Sequence, residues 1–290
     1  MTQNNNLSVL PWYKNIEEQN HRKSYAFGNI YPLFTPKDKL LPFQIMRKAR
    51  SEQITEAKLF TIDGIEFADL KTPLEESGLK LINFPDFNYD VIVYPGNFPM
   101  PINTPPGQYY AKLSDGVETW FSEVFTIVTD LHNYTKIEWY DLEDMVFDQG
   151  RIVYKNPTFK NVLYFIPEIG KPEYTFDEQG QDRDGFFFPE KQISEKTYKI
   201  TVLAPEYLCD VMRFIRMSDI VKVTDKYDRI YNCDTFLITP KFQTQGDIAS
   251  VEIEFQTDTV VKKLGKGVII GNNGDFNNDF NNDFDNKKEI

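Results

Sequence analysis

A mainly β fold is predicted, and three observations predict it. Asp63-Gly64 and Asp115-Gly116 each separate two apolar runs, the strongest short-range signal for a β-hairpin. Near the C-terminus, Val251, Ile253 and Phe255 alternate with Ser250, Glu252 and Glu254, as in a strand with one buried face. The 17 Pro and 15 Gly are spread along the 290 residues, which suits many short elements joined by turns. Hydrophobic residues make up 41% and aromatics 15%, enough for a sizeable core.

Residues 1–40 are expected to form an aromatic arm. Trp12, Tyr13, Tyr25, Phe27, Tyr31 and Phe34 are mixed there with charges and prolines, and neither helical nor strand periodicity is sustained. So aromatic a segment must be covered, either by its own body or by a neighbouring subunit. Residues 41–130 read as a fibronectin- or immunoglobulin-like β-sandwich, built from the LFTIDGIEF hairpin, the strand in YDVIVYPGN and the paired strands of QYYAKLSDGVETWFSEVFTIV. With no Cys…Trp…Cys signature, the fibronectin type is preferred.

Residues 131–268 read as a second β-rich domain, a sandwich or barrel, with strands in KIEWYDLED, RIVYKN, VLYFIPEI, KTYKITVLAP, IVKVTD, IYNCDTFLITP and SVEIEFQTD. It carries one helix over 205–215. Pro205 suits the first helical position, and Leu208, Val211, Met212 and Ile215 fall on one face. Residues 173–192 are read as a long charged loop around Phe186, Phe187 and Phe188. Three successive rings cannot all point inward, so either some are offered as a contact surface or the loop folds onto its own domain. Residues 269–290 read as a flexible acidic tail with a charge of −3, in which Phe276, Phe280 and Phe284 recur among Asn and Asp. The tail lacks the glycine at position six and the glutamate at twelve that an EF-hand loop requires.

Charge and motif content narrow the function. A net charge of −12 disfavours general nucleic-acid binding, which rests on neutralising phosphates. The N-terminus has no basic and apolar export signal, and no run of about 20 apolar residues is present to insert in a membrane. Cys209 and Cys233 read as core residues, and two cysteines make no disulfide framework. His21 and His132 have no nucleophile motif nearby. KLGKGVIIGNNG lacks the G-x-x-x-x-G-K-[ST] of a phosphate loop. Asp141, Glu143 and Asp144, or Asp182 with Asp184, could be drawn as a glycosidase pair, but nothing places them across one cleft. No catalytic residue, metal ligand or cofactor is expected.

Three stretches, LPWYKNIEEQNHRKSYAFGNIYPLFTPKDKLLPFQI, PPGQYYAKLSDGVETWFSEVFTI and QGDIASVEIEFQTDTVVKK, resemble structural proteins from the tail gene clusters of double-stranded DNA phages that infect Bacteroidota, the crAss-like phages among them. The resemblance spans most of residues 8–268 and carries no active-site residues. It implies a virion component of the neck or tail, assembled in the host cytoplasm as a homo-oligomeric ring around the DNA channel. DNA would pass through such a ring without sequence-specific contact. On that reading Trp12, Tyr13, Tyr25 and Phe27 pack on a neighbour, Phe186 to Phe188 fill an intersubunit or inter-ring groove, and Phe276, Phe280 and Phe284 engage another virion protein. The competing readings are a glycan- or protein-binding module presenting Trp120, Phe121 or Tyr109, and a glycan hydrolase using Asp182 and Asp184.

Overall fold

A computed structural model describes residues 8–23, 31–84, 88–96, 104–142, 145–147, 151–153, 159–242 and 248–263. The chain is mainly β, as its patterning predicts. In the first half the strands are β1 (Trp12–Tyr13), β2 (Phe34–Pro36), β3 (Phe43–Lys48), β4 (Glu56–Thr61), β5 (Glu66–Asp69), β6 (Lys80–Phe84), β7 (Tyr89–Tyr94), β8 (Gly107–Ser114), β9 (Thr119–Ser122) and β10 (Phe125–Val128). The second half adds β11 (Thr135–Tyr140), β12 (Met145–Phe147), β13 (Arg151–Val153), β14 (Asn161–Phe165), β15 (Glu173–Arg183), β16 (Phe186–Pro205), β17 (Ile220–Thr224), β18 (Ile230–Asn232), β19 (Thr235–Phe242) and β20 (Ile248–Lys263). Three short α-helices, α1 (Asn20–Lys23), α2 (Lys71–Glu76) and α3 (Glu206–Met212), and two 3-10 turns, Ile16–Glu18 and Ile215–Met217, complete the described elements.

Seven strands form one sheet around β8, which pairs antiparallel with β4, β9 and β10. The β4–β5 and β8–β9 turns are the two Asp-Gly sites, and both glycines have the positive φ that such turns require (81° and 85°). Sheet β3–β7–β6 makes the second layer. Trp12 joins the layers, its ring 4.7 Å from that of Phe43, which stands 5.5 Å from its cross-strand partner Tyr94, between ring centroids.

A charged clasp closes one end of this sandwich. Arg47 of β3, fully buried, bonds Asp115 in the β8–β9 turn and approaches Asp90 of β7 at 3.5 Å. Arg50 adds a second guanidinium to Asp115, with its Nε at 2.8 Å, and a 2.9 Å bond to Glu118.

The arm is not a free arm where it is described. Val9 and Leu10 are fully buried, β1 pairs antiparallel with β9, and β2 lies parallel to β10. Glu123, itself buried, accepts from Tyr13 Oη at 3.0 Å and from the Asn20 N–H at 2.8 Å, and so bolts the segment down. Of the two covers open to these aromatics, the chain's own body is the one found for Trp12 and Tyr13.

The second half supplies sheet β14–β11–β17–β18 and sheet β15–β16–β20–β19. Helix α3 begins after Pro205 and buries Leu208, Cys209, Val211 and Met212; Ile215, expected to continue the helix, lies in a following 3-10 turn. One continuous core runs from Val9 through Ile127, Ile137 and Trp139 to Phe255. The division expected between residues 130 and 131 therefore does not exist. The described residues fall instead into two units, one within Met1–Glu173 and Thr197–Asp258, the other within Tyr174–Lys196 and Thr259–Ile290. The core is continuous across residue 130 because both four-stranded sheets of the second half turn an apolar face into it, Ile137, Trp139 and Val223 from one and Val251, Ile253 and Phe255 from the other.

Candidate interaction surface

The stretch read as a loop is a long β-hairpin. Its β15 and β16 meet at Asp184-Gly185, where two successive positive φ angles (53° and 84°) make the tight turn matched to strand twist. Gly180 sits against the partner strand so closely that a Cβ there would collide with the Phe188 carbonyl and stand 2.8 Å from Pro189 Cα. Cross-strand bonds from Gln192 Nε2 to Glu178 (2.7 Å) and from Thr175 Oγ1 to Glu195 (3.3 Å) tie the strands.

The rings on this hairpin are left bare. Tyr174 is 63% exposed, Phe176 77%, Phe186 71% and Phe187 47%; Phe188 is half-buried. Tyr174 and Phe176 lie two apart and share a face of β15, while Phe186 and Phe188 share one face of β16 and Phe187 takes the other. Val260 and Val261 of β20, in the same unit, are also exposed. The four bare rings thus lie on both faces of the hairpin, each a large apolar side chain left to solvent.

The other expected contacts divide differently. Trp12 and Tyr13 are 3% and 6% exposed, so neither is a surface residue, and burial together with Glu123 pushes the Tyr13 phenol far above its ordinary pKa. Tyr25, Phe27, Phe276, Phe280 and Phe284 lie outside the described residues. The rings suggested for glycan stacking are mostly withdrawn: Trp120 is 2% exposed and Tyr109 5%, leaving Phe121 half-buried.

The residues weighed for chemistry are scattered. Asp182 and Asp184 are exposed near the hairpin turn. Asp141 accepts the Asp219 N–H at 2.9 Å, while Asp219 accepts the Leu142 N–H at 2.8 Å, a reciprocal brace between two strand ends. Glu143 and Asp144 are outside the described residues, as is the side chain of His21; His132 is exposed. Burial raises the Cys209 thiol to about 11 and the Cys233 thiol to about 12, so both stay protonated at neutral pH. A cavity of about 320 Å³ is lined by Arg216, Asp219, Cys233, Asp234 and Glu254, among others. Among the described residues no group of three or more His, Cys, Asp or Glu is placed to hold a metal ion, and no helix is long and apolar enough to cross a membrane.

What these features define is a β-sheet protein in which, among the described residues, the barest large apolar side chains, Phe176 and Phe186, sit on a built hairpin. Comparison with protein-family models, with curated proteins and with solved structures gives no match.

Proposed function

We propose that the chain is a structural subunit of a phage virion, one of several copies in a ring of the neck or tail, and that it joins its neighbours through exposed aromatic side chains. The observation that carries this reading is the β15–β16 hairpin, an ordered element that holds four rings in solvent. Bare rings of this size are unfavourable in water by roughly 25 cal/mol per Å², and a partner that covers them recovers that free energy. Chemistry has little to work with here: both thiols are protonated, Asp182 and Asp184 are exposed near the hairpin turn, and Asp141 is held in a backbone brace. The glycan-binding alternative keeps Phe121 and loses Trp120 and Tyr109 to the core. Mass-spectrometric analysis of purified particles tests the proposal. The chain is expected there in several copies per particle, and its absence from particles would sink the reading.

A further inference from the structure

The hairpin's charge indicates what could cover it. Residues 174–196 hold six acids and three bases, a net charge of −3 around the exposed rings. A cover of opposite sign is the outer face of sheet β14–β11–β17–β18. There Ile137, Trp139, Val221 and Val223 point into the core, and their strand neighbours Lys136, Glu138, Tyr140, Ile220 and Lys222 point out. Lys136 and Lys160 reach Glu138 at 2.7 and 3.7 Å, and the ammoniums of Lys160 and Lys222 stand 5.1 and 6.0 Å from the Tyr140 ring centroid. Among the described residues Lys222 forms no ion pair. Asp141 and Asp219, at the end of the face, are turned onto each other's strands. The face thus carries three ammoniums against Glu138, with apolar surface from Tyr140, Ile220 and the exposed Ile230, in a chain whose net charge is −12.

We infer that the hairpin tip of one copy docks on this face of a second copy, with Phe186 and Phe187 against Tyr140, Ile220 and Ile230 and the tip's acids against Lys160 and Lys222. The inference rests on the reading of the chain as a ring subunit. It deepens that reading by naming the two halves of the joint. Because the halves are different surfaces, the contact is head-to-tail and repeats from copy to copy, closing into a ring where the rotation closes. The rings are of the size that anchors interfaces, and cation–π contacts to the lysines add to the apolar cover. Edge-to-edge pairing of two β15 strands is disfavoured, since it would set Glu173, Asp177, Glu178 and Asp182 of both copies near one another.

Sedimentation velocity of the full chain over a range of micromolar concentrations tests this. The wild type is expected to form species at multiples of 34.0 kDa that dissociate as salt rises. Phe186→Ser combined with Phe187→Ser, and separately Lys222→Glu, should each return the chain to 34.0 kDa with an unchanged circular-dichroism spectrum. Mixing these two variants should restore a two-copy species and nothing larger, because the mixture has one intact hairpin for one intact face. Assembly that persists in both variants, or that is abolished by removing residues 264–290 but not by these substitutions, overturns the inference and leaves the ring reading standing. A wild type that stays at 34.0 kDa throughout also overturns it, while the presence or absence of the chain in particles decides the broader reading on its own.

Discussion

Asp115 shows how much of this fold rests on single side chains. Burial pushes its carboxyl pKa up. The N–H groups of Glu118 and Val117 and the guanidiniums of Arg50 and Arg47 outweigh burial and hold it below the usual carboxylate range. Glu118 is treated likewise: burial raises it, and Lys14 and Arg50 bring it down further. A folded-state pKa below the unfolded value contributes stability that is present above the unfolded value, near pH 4, and is lost as pH falls through the folded one. The protein is therefore expected to resist urea equally at pH 7 and pH 5.5 and to weaken below about pH 4; a flat urea midpoint down to pH 2.5 would contradict this. Asp115→Asn leaves Arg47 buried without its main counter-charge and should cost about 3–5 kcal/mol in urea titration. From sequence, Asp115 was legible only as half of a turn signal. That it also anchors two arginines from 65 and 68 residues away depends on a sandwich that brings β3 over the β8–β9 turn, and no local pattern encodes that.

At the scale of elements, legibility followed whether an element has a dry side. Strand β20 and helix α3 were readable because core contact on one face imposed a period on their sequences. The β4–β5 and β8–β9 hairpins were readable from their Asp-Gly turns. The β15–β16 hairpin carries the same signal at Asp184-Gly185, yet its tip is wet on both sides, so charges and rings follow one another without alternation and the segment looked like a loop. Helix α2 was missed for a related reason: a single buried residue, Leu74, anchors its one and a half turns, too few to show a period. Within β15, Gly180→Ala forces a methyl group into the backbone of the facing strand. It should deform the hairpin and reduce self-association while leaving the urea midpoint of the body within experimental error. A large drop in that midpoint would show that the hairpin is integral to the body's stability.

For the whole molecule, the division into two units locates tolerance to change. Replacing residues 176–193 by a short Asn-Gly turn removes exposed surface and no member of the main core. The shortened chain should melt within a few degrees of the parent, and a loss of more than about 10 °C would contradict that. It should also be unable to assemble. The boundary expected at residue 130 failed at this scale because strand composition reports that a face is buried and not which sheet buries it. The central claim is that the hairpin's rings are there to be covered by another polypeptide. Hydroxyl-radical footprinting, read at Phe186 and Phe187 in the dilute free chain and in assembled particles, tests it most directly. The account predicts several-fold slower oxidation of both rings on assembly, with buried Trp120 unreactive in either state; equal oxidation rates for the two phenylalanines in both states would contradict it.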